Sequence, residues 1–201
     1  MVTPFAHAIA LTGGIATGKS TVCNLLKLYG FHIIDADAVA HELLDENSDN
    51  IAKLFGNQYV KDGKVLRKEL GKLIFGNKEE RLKLEKLLHP QIKKRIEKLA
   101  QKEEKFKVPY FIDIPLFFEK RNYPIKKVVV VYAPKELQVE RLCKRERLSL
   151  EEARQRIKLQ IDIEEKRKMA DYIIDNSQDL KHLQKEVERF IEQIKVEYAI
   201  G

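Results

Sequence analysis

The apolar run Ala8-Ile9-Ala10-Leu11 passes directly into Thr12-Gly13-Gly14-Ile15-Ala16-Thr17-Gly18-Lys19-Ser20-Thr21. Beyond it Val22, Leu25, Leu26 and Tyr29 recur at helical spacing. Strand, glycine loop and helix in that order are the context required by the pattern G-x-x-x-x-G-K-[ST], met here by Gly13, Gly18, Lys19 and Ser20. Glycines let the loop backbone take conformations closed to other residues and let its N–H groups approach phosphate oxygens. The helix that follows adds the positive end of its dipole. Lys19 is then placed to reach β- and γ-phosphates as a point charge, and the Ser20 hydroxyl to ligate magnesium.

The rest of the chain alternates strands and helices. Residues 31–34 read as a second strand running into a helix, "KVPYFIDIPLF" as holding a buried third that ends near Asp113, and "KKVVVVYAP" as a fourth, closed by Pro134. A helix is expected from about Lys135 to Arg147, and another after Ser149, with Glu152 in capping-box position. "ADYIIDNS" is a fifth strand and the remainder an amphipathic helix. Residues 48–105 read as helical and basic, with turn signals at "NSDN", "DGK" and "GNKEE" and no run that reads as a strand. The pattern implies an α/β fold: a doubly wound five-stranded parallel sheet, its ligand at the carboxyl ends of the strands, with a helical insertion between strands two and three.

Charge and cysteine content restrict the function further. The net charge is +7, and residues 61–107 hold sixteen Lys or Arg against eight Asp or Glu, more than the whole excess. These charges interleave with Leu84, Leu87, Leu88, Ile92, Ile96 and Leu99 at helical spacing, so most form a solvated face. A polyanionic small substrate suits the surplus. A nucleic-acid partner is not expected, since no aromatic-rich recognition motif accompanies it. Cys23 and Cys143 match no metal spacing and read as free thiols of a reducing compartment. The N-terminus lacks a signal-peptide pattern and no stretch reaches membrane-spanning length, so a cytoplasmic, membrane-free protein is expected, with its oligomeric state left open.

A phosphate loop is shared by switches, motors and kinases. A GTPase would carry N-K-x-D, yet Asn77-Lys78 is followed by Glu79-Glu80, and neither Asp35 nor Asp113 begins D-x-x-G. A small kinase remains, needing a carboxylate for the acceptor hydroxyl and positive charge over the transferring group. Of Asp35 and Asp37, directly after strand two, one suits that task and the other a helix cap or a magnesium-water partner. Asp113 suits a magnesium-bound water, or simply a strand-end turn. Arg141 and Arg145, one helical turn apart and followed by Arg147, form either a mobile lid or a solvated face.

Six segments in this order, "LTGGIATGKST", "IIDADAVAHE", "VLRKEL" with "IF" shortly after, "RLKLEKLLHPQI", "IDIPLFFE" and "ADYIIDNS", resemble the dephospho-CoA kinase family nearly end to end. The resemblance implies ATP-dependent phosphorylation, with Mg2+, of the ribose 3′-hydroxyl of dephospho-CoA. It implies three parts: a nucleotide-binding core of residues 1–47, 106–140 and 170–201, a helical substrate domain of 48–105, and a lid of 141–169. On this likeness Gly14, Ala16, Thr17, Gly18, Lys19, Ser20, Thr21 and Arg141 bind ATP, Asp37 rather than Asp35 is the base, and Arg145 is the lid arginine. Ser20 and Asp113 serve the metal. Asp35, Arg67, Arg81 and His89 fall to the acceptor site, although His89, just before Pro90, equally suits a structural helix end. Two departures stand out: Ala16 and Arg147 occupy positions where the family commonly has glycine.

Overall fold

Unbroken apolar segments at the centre of the chain become strands covered on both faces, and amphipathic segments become the helices that cover them. The computed structural model describes residues 4–199. Its elements are β1 (Ala8–Gly13), α1 (Lys19–Leu28), β2 (Ile33–Asp35), α2 (Ala36–Glu46), α3 (Ser48–Phe55), β3 (Val60–Lys61), β4 (Lys64–Val65), α4 (Arg67–Gly76) and α5 (Lys78–Glu103). There follow β5 (Tyr110–Asp113), α6 (Phe117–Lys120), β6 (Lys127–Tyr132), α7 (Lys135–Glu146), α8 (Leu150–Lys158), α9 (Ile163–Lys168), β7 (Tyr172–Asp175) and α10 (Leu180–Glu197). Two compact units result, one of residues up to Ile34 together with those from Ala100 onward, the other Asp35–Leu99. Among the described residues no helix is long and apolar enough to cross a membrane.

The first unit is built on a five-stranded sheet in the order β2-β5-β1-β6-β7. β1 lies parallel to both neighbours, Leu11 opposite Asp113 on one side and Gly13 opposite Val131 on the other. The chain leaves β1 toward β2 on one side and later fills β6 and β7 on the other. The carboxyl end of β1 is therefore the switch point, where doubly wound sheets place their ligands. One face is sealed by Val22, Cys23 and Leu26 of α1 and by Leu183, Val187, Phe190, Ile191 and Ile194 of α10. That spacing is the apolar stripe of an amphipathic helix.

α7 and α8 form a hairpin around Val139, Leu142, Ala153 and Ile157. The expected capping box is present, Ser149 and Glu152 each bonding the other's backbone N–H. Arg147 ends α7 in the left-handed region, φ 54° and ψ 42°, which accounts for glycine being the common residue there. Arg147→Gly is expected to raise stability by about 0.5–1 kcal/mol by relieving the Cβ clash of that region. A shift of the urea midpoint at unchanged slope would show it, and an unchanged or lower midpoint would refute it.

The second unit corrects two expectations. A β-hairpin lies inside the stretch read as wholly helical, with Val60 opposite Val65 and Lys61 opposite Lys64. Asp62 and Gly63 take φ of 51° and 73°, the paired positive values of the two-residue hairpin turn for which Asp-Gly is the strongest short-range signal. Two-residue strands are too short for alternation to reveal them. Nor does a helix end at His89: α5 runs through Pro90. Proline removes one hydrogen bond and disfavours the helix by about 3 kcal/mol, but Leu84, Leu88 and Ile96 on the buried face hold the segment helical across it. Leu84 and Leu88 join Ile51, Phe55, Val65 and Leu70 in the core of this unit.

Candidate active site

The glycine loop is shaped by close neighbours. A Cβ on Gly13 would lie 2.7 Å from Thr17 Oγ1 and 2.8 Å from the Val131 carbonyl oxygen, and one on Gly14 2.6 Å from Gln138 Oε1. Gly18, at φ 90°, has the Asn176 side-chain amide where its Cβ would stand. Ala16 also takes a left-handed conformation, φ 59°, so the family's glycine at that position has a backbone reason. Gly18 caps α1 and Lys19 opens it. The first N–H groups of α1 thus have no intrahelical acceptor and are available to an anion. Ser20 and Thr21 are exposed on that first turn.

Lys19 leans across the mouth of the loop, its Nζ donating to both carboxylate oxygens of Asp113. Asp113 is the last residue of β5 and is buried. The neighbouring Cys23 thiol donates to Asp113 Oδ2 at 3.4 Å. Burial first, and the Asp113 charge second, push the Cys23 thiol up to about 12. Thiolate is the reactive form, so at pH 8 a thiol reagent should modify Cys143 and reach Cys23 only on unfolding. Fast modification of both in the folded chain would contradict this. Because the folded value lies above the ordinary 9.0, the contribution to stability is constant below about pH 9 and declines as pH rises toward about 12.

Ser20 and Asp113 offer a hydroxyl and a carboxylate, the hard oxygen donors that magnesium takes. Among the described residues no three His, Cys, Asp or Glu side chains gather as a metal cage. Magnesium bound through one or two protein oxygens and substrate phosphates needs none.

Arg141 of α7 donates from Nη2 to the Asn176 carbonyl at 3.0 Å, while the Asn176 side chain donates to the Thr17 carbonyl at 2.8 Å. Asn176 therefore connects the arginine helix to the loop. Arg145, a turn further along α7, is exposed and bonds Glu146 Oε1 at 2.7 Å. That hydrogen bond is the main reason the Glu146 carboxyl sits below the usual carboxylate range, and Arg156 adds to it. An exposed pair of this kind is held weakly, so Arg145 can leave it at little cost.

The remaining expected residues belong to the second unit. Asp35 caps α2, its Oδ1 accepting from the Ala38 N–H at 2.9 Å. Asp37 is exposed in the first turn of the same helix. Arg67 bonds Asp45 Oδ2 at 2.6 Å, and the Val65 N–H bonds Oδ1 at 3.1 Å. Desolvation pushes the Asp45 carboxyl up, but these hydrogen bonds outweigh it and hold the group below its usual range. Arg81 and His89 are exposed on α5. The structure thus gathers Gly14 to Thr21 with Asp113 and Arg141 in one unit and places Asp37, Arg67, Arg81 and His89 in the other.

Several residues around the loop escaped the sequence reading. Gln138, Gln160, Lys166 and Asn176 all touch or crowd it, and Glu119 pairs with Lys166. Asn176 and Glu119 lie inside the segments "ADYIIDNS" and "IDIPLFFE", but nothing local distinguishes Lys166 from the other cations around it.

The family model described as dephospho-CoA kinase matches residues 7–182. A dephospho-CoA kinase of Sulfurimonas denitrificans is 54% identical over 194 residues, covering 96% of this chain and 97% of that protein. One from Wolinella succinogenes is 53% identical over 196 residues, 96% and 98% respectively. The solved structure of a dephospho-CoA kinase from Campylobacter jejuni superposes with a TM-score of 0.72 at 40% identity, covering 94% of this chain and 97% of that one. With the phosphate loop, the parallel sheet and full-length likeness all in agreement, the chain belongs to the dephospho-CoA kinase family.

Proposed function

We propose that the chain transfers the γ-phosphoryl group of ATP to the ribose 3′-hydroxyl of dephospho-CoA, giving coenzyme A and ADP. The observation that carries this reading is a complete phosphate loop, with Lys19 poised at its mouth on Asp113, in a chain alike to dephospho-CoA kinases over nearly its whole length. N–H groups of the loop and of the first turn of α1, those of Gly18, Lys19 and Ser20 among them, hold the phosphates, while the Ile15 N–H stays on Gln160. When ATP enters, Lys19 exchanges the Asp113 carboxylate for phosphate oxygens, which leaves the Asp113 oxygens free. Ser20 and Asp113 would hold Mg2+, which when bound neutralises charge on the β- and γ-phosphates.

Asp37 positions the acceptor hydroxyl and takes its proton, a role that rests on its place directly after β2 and on the family likeness. Arg145, released from Glu146, and Arg141 offset the charge of the transferring group. Residues 48–105 form the acceptor domain, where Asp35, Arg67, Arg81 and His89 hold or shape the CoA precursor, and 141–169 the lid. Positioning and electrostatics supply most of the rate in such transfers. The deciding experiment is ADP release with dephospho-CoA, run beside adenosine, AMP and no acceptor. Turnover with dephospho-CoA alone supports the assignment, and turnover with another acceptor instead would sink it.

A further inference from the structure

Lys166 is a lysine with no solvent exposure at all. Its Nζ donates to the Gly13 carbonyl at 3.0 Å and pairs with Glu119 Oε1 at 2.7 Å. Burying an ammonium is costly, and a buried ion pair is often no more stable than the apolar side chains that could replace it. A lysine at this depth therefore calls for a use beyond holding the fold. Glu119 Oε1 also takes the Ile161 N–H at 3.1 Å, which fixes the carboxylate that in turn fixes Lys166.

What Lys166 grips is the last residue of β1, where strand becomes loop. A trans peptide is planar, with its C=O and the next N–H pointing in opposite directions. Capture of the Gly13 oxygen therefore sets the direction of the Gly14 N–H. The same device recurs along the loop. Thr17 Oγ1 donates to the Gly14 carbonyl at 2.9 Å, and the Ile15 N–H goes to Gln160 Oε1 at 2.9 Å. Asn176 takes the Thr17 carbonyl and so sets the Gly18 N–H. Gln160, in the turn between α8 and α9, and Lys166, within α9, hold the loop at two points two residues apart.

We infer that Lys166, braced by Glu119, is a positioning residue for the phosphate loop, fixing the peptide at its start so that the Gly14 N–H faces the nucleotide before ATP arrives. This rests on the ATP-binding part of the proposed function and is independent of the acceptor. A loop so held binds without a further ordering cost, and one released must be ordered by its ligand.

The test is titration with Mg-ATP, without acceptor, of Lys166→Met, Glu119→Gln and the double variant, each with a thermal melt. Lys166→Met should bind ATP at least about tenfold more weakly, the loss expected when preorganisation is removed, and also melt lower, since the half-buried Glu119 is left without its cation. Glu119→Gln keeps an oxygen for Lys166 and should bind ATP within about threefold of wild type. The double variant removes the unpaired charge and should recover the melting temperature while keeping weak ATP binding. ATP affinity in the double variant within about twofold of wild type would overturn the proposal and leave Lys166 a structural ion pair. Should Lys166→Met not fold, the double variant carries the test. Wild-type chain that binds ATP but does not turn over dephospho-CoA would sink the acceptor assignment alone.

Discussion

Asp37→Asn is expected to lower kcat by about a thousandfold while ATP affinity stays within about threefold, the pattern of a group that acts on the acceptor proton in the transition state. Asparagine keeps the size and much of the hydrogen bonding but cannot take a proton. Asp37 lies in the first turn of α2, where a carboxylate also favours the helix dipole, so the same change should cost the fold only about 0.5 kcal/mol. Asp35, whose oxygen bonds the Ala38 N–H, makes the internal control. Its asparagine variant retains a capping oxygen and should lose far less turnover. Steady-state kinetics on the two variants, with ATP binding measured separately, checks this. Near-normal turnover in Asp37→Asn would remove that residue from the base role.

Lys19→Met should reduce kcat/KM for ATP by about a thousandfold, the cost of removing one preorganised charge from the transferring phosphates. It has a second consequence visible without substrate. Lys19 bonds both oxygens of the buried Asp113, so its loss leaves a carboxylate without its ion-pair partner and lowers stability by about 2–4 kcal/mol. Adding Asp113→Asn should restore much of that stability and none of the activity. Kinetics and denaturant midpoints on the two variants separate the roles. If the double variant recovered turnover, Lys19 would be no more than the partner of Asp113.

The sequence made this site readable where chemistry is local. The loop pattern, the strand before it and the helix after it lie within 22 residues, from Ala8 to Tyr29, and each imposes residue types that nothing else requires. The parallel character of the sheet followed from the same logic, since "VVVV" suits a parallel strand covered on both faces, whereas the spatial order of the strands came only with the fold. The β3–β4 hairpin was missed because four residues carry no period, although Asp62-Gly63 announced its turn. Pro90 looked like a helix end because propensity was weighed without the buried face that overrides it. Lys166 was invisible for a different reason. It meets Gly13 from 153 residues away, within a run of Glu, Lys and Arg where a solvated face is the normal outcome, and only the fold reveals which of those cations is enclosed.

That separation bears on how the chain is made. The glycine loop is synthesised early, yet Asp113, Gln160, Lys166 and Asn176, which hold it in shape, come at least 92 residues after its last residue, Thr21. β1 itself waits for β5 and β6 to pair with it. Such long-range pairing is slow, and it leaves apolar strand edges open in the meantime. A growing chain that has not yet delivered β5 carries every letter of the phosphate motif without any of the braces that aim it, and until β7 is made it still lacks Asn176. ATP can then serve as an inspector of finished molecules, stabilising the completed fold and passing over the partial one.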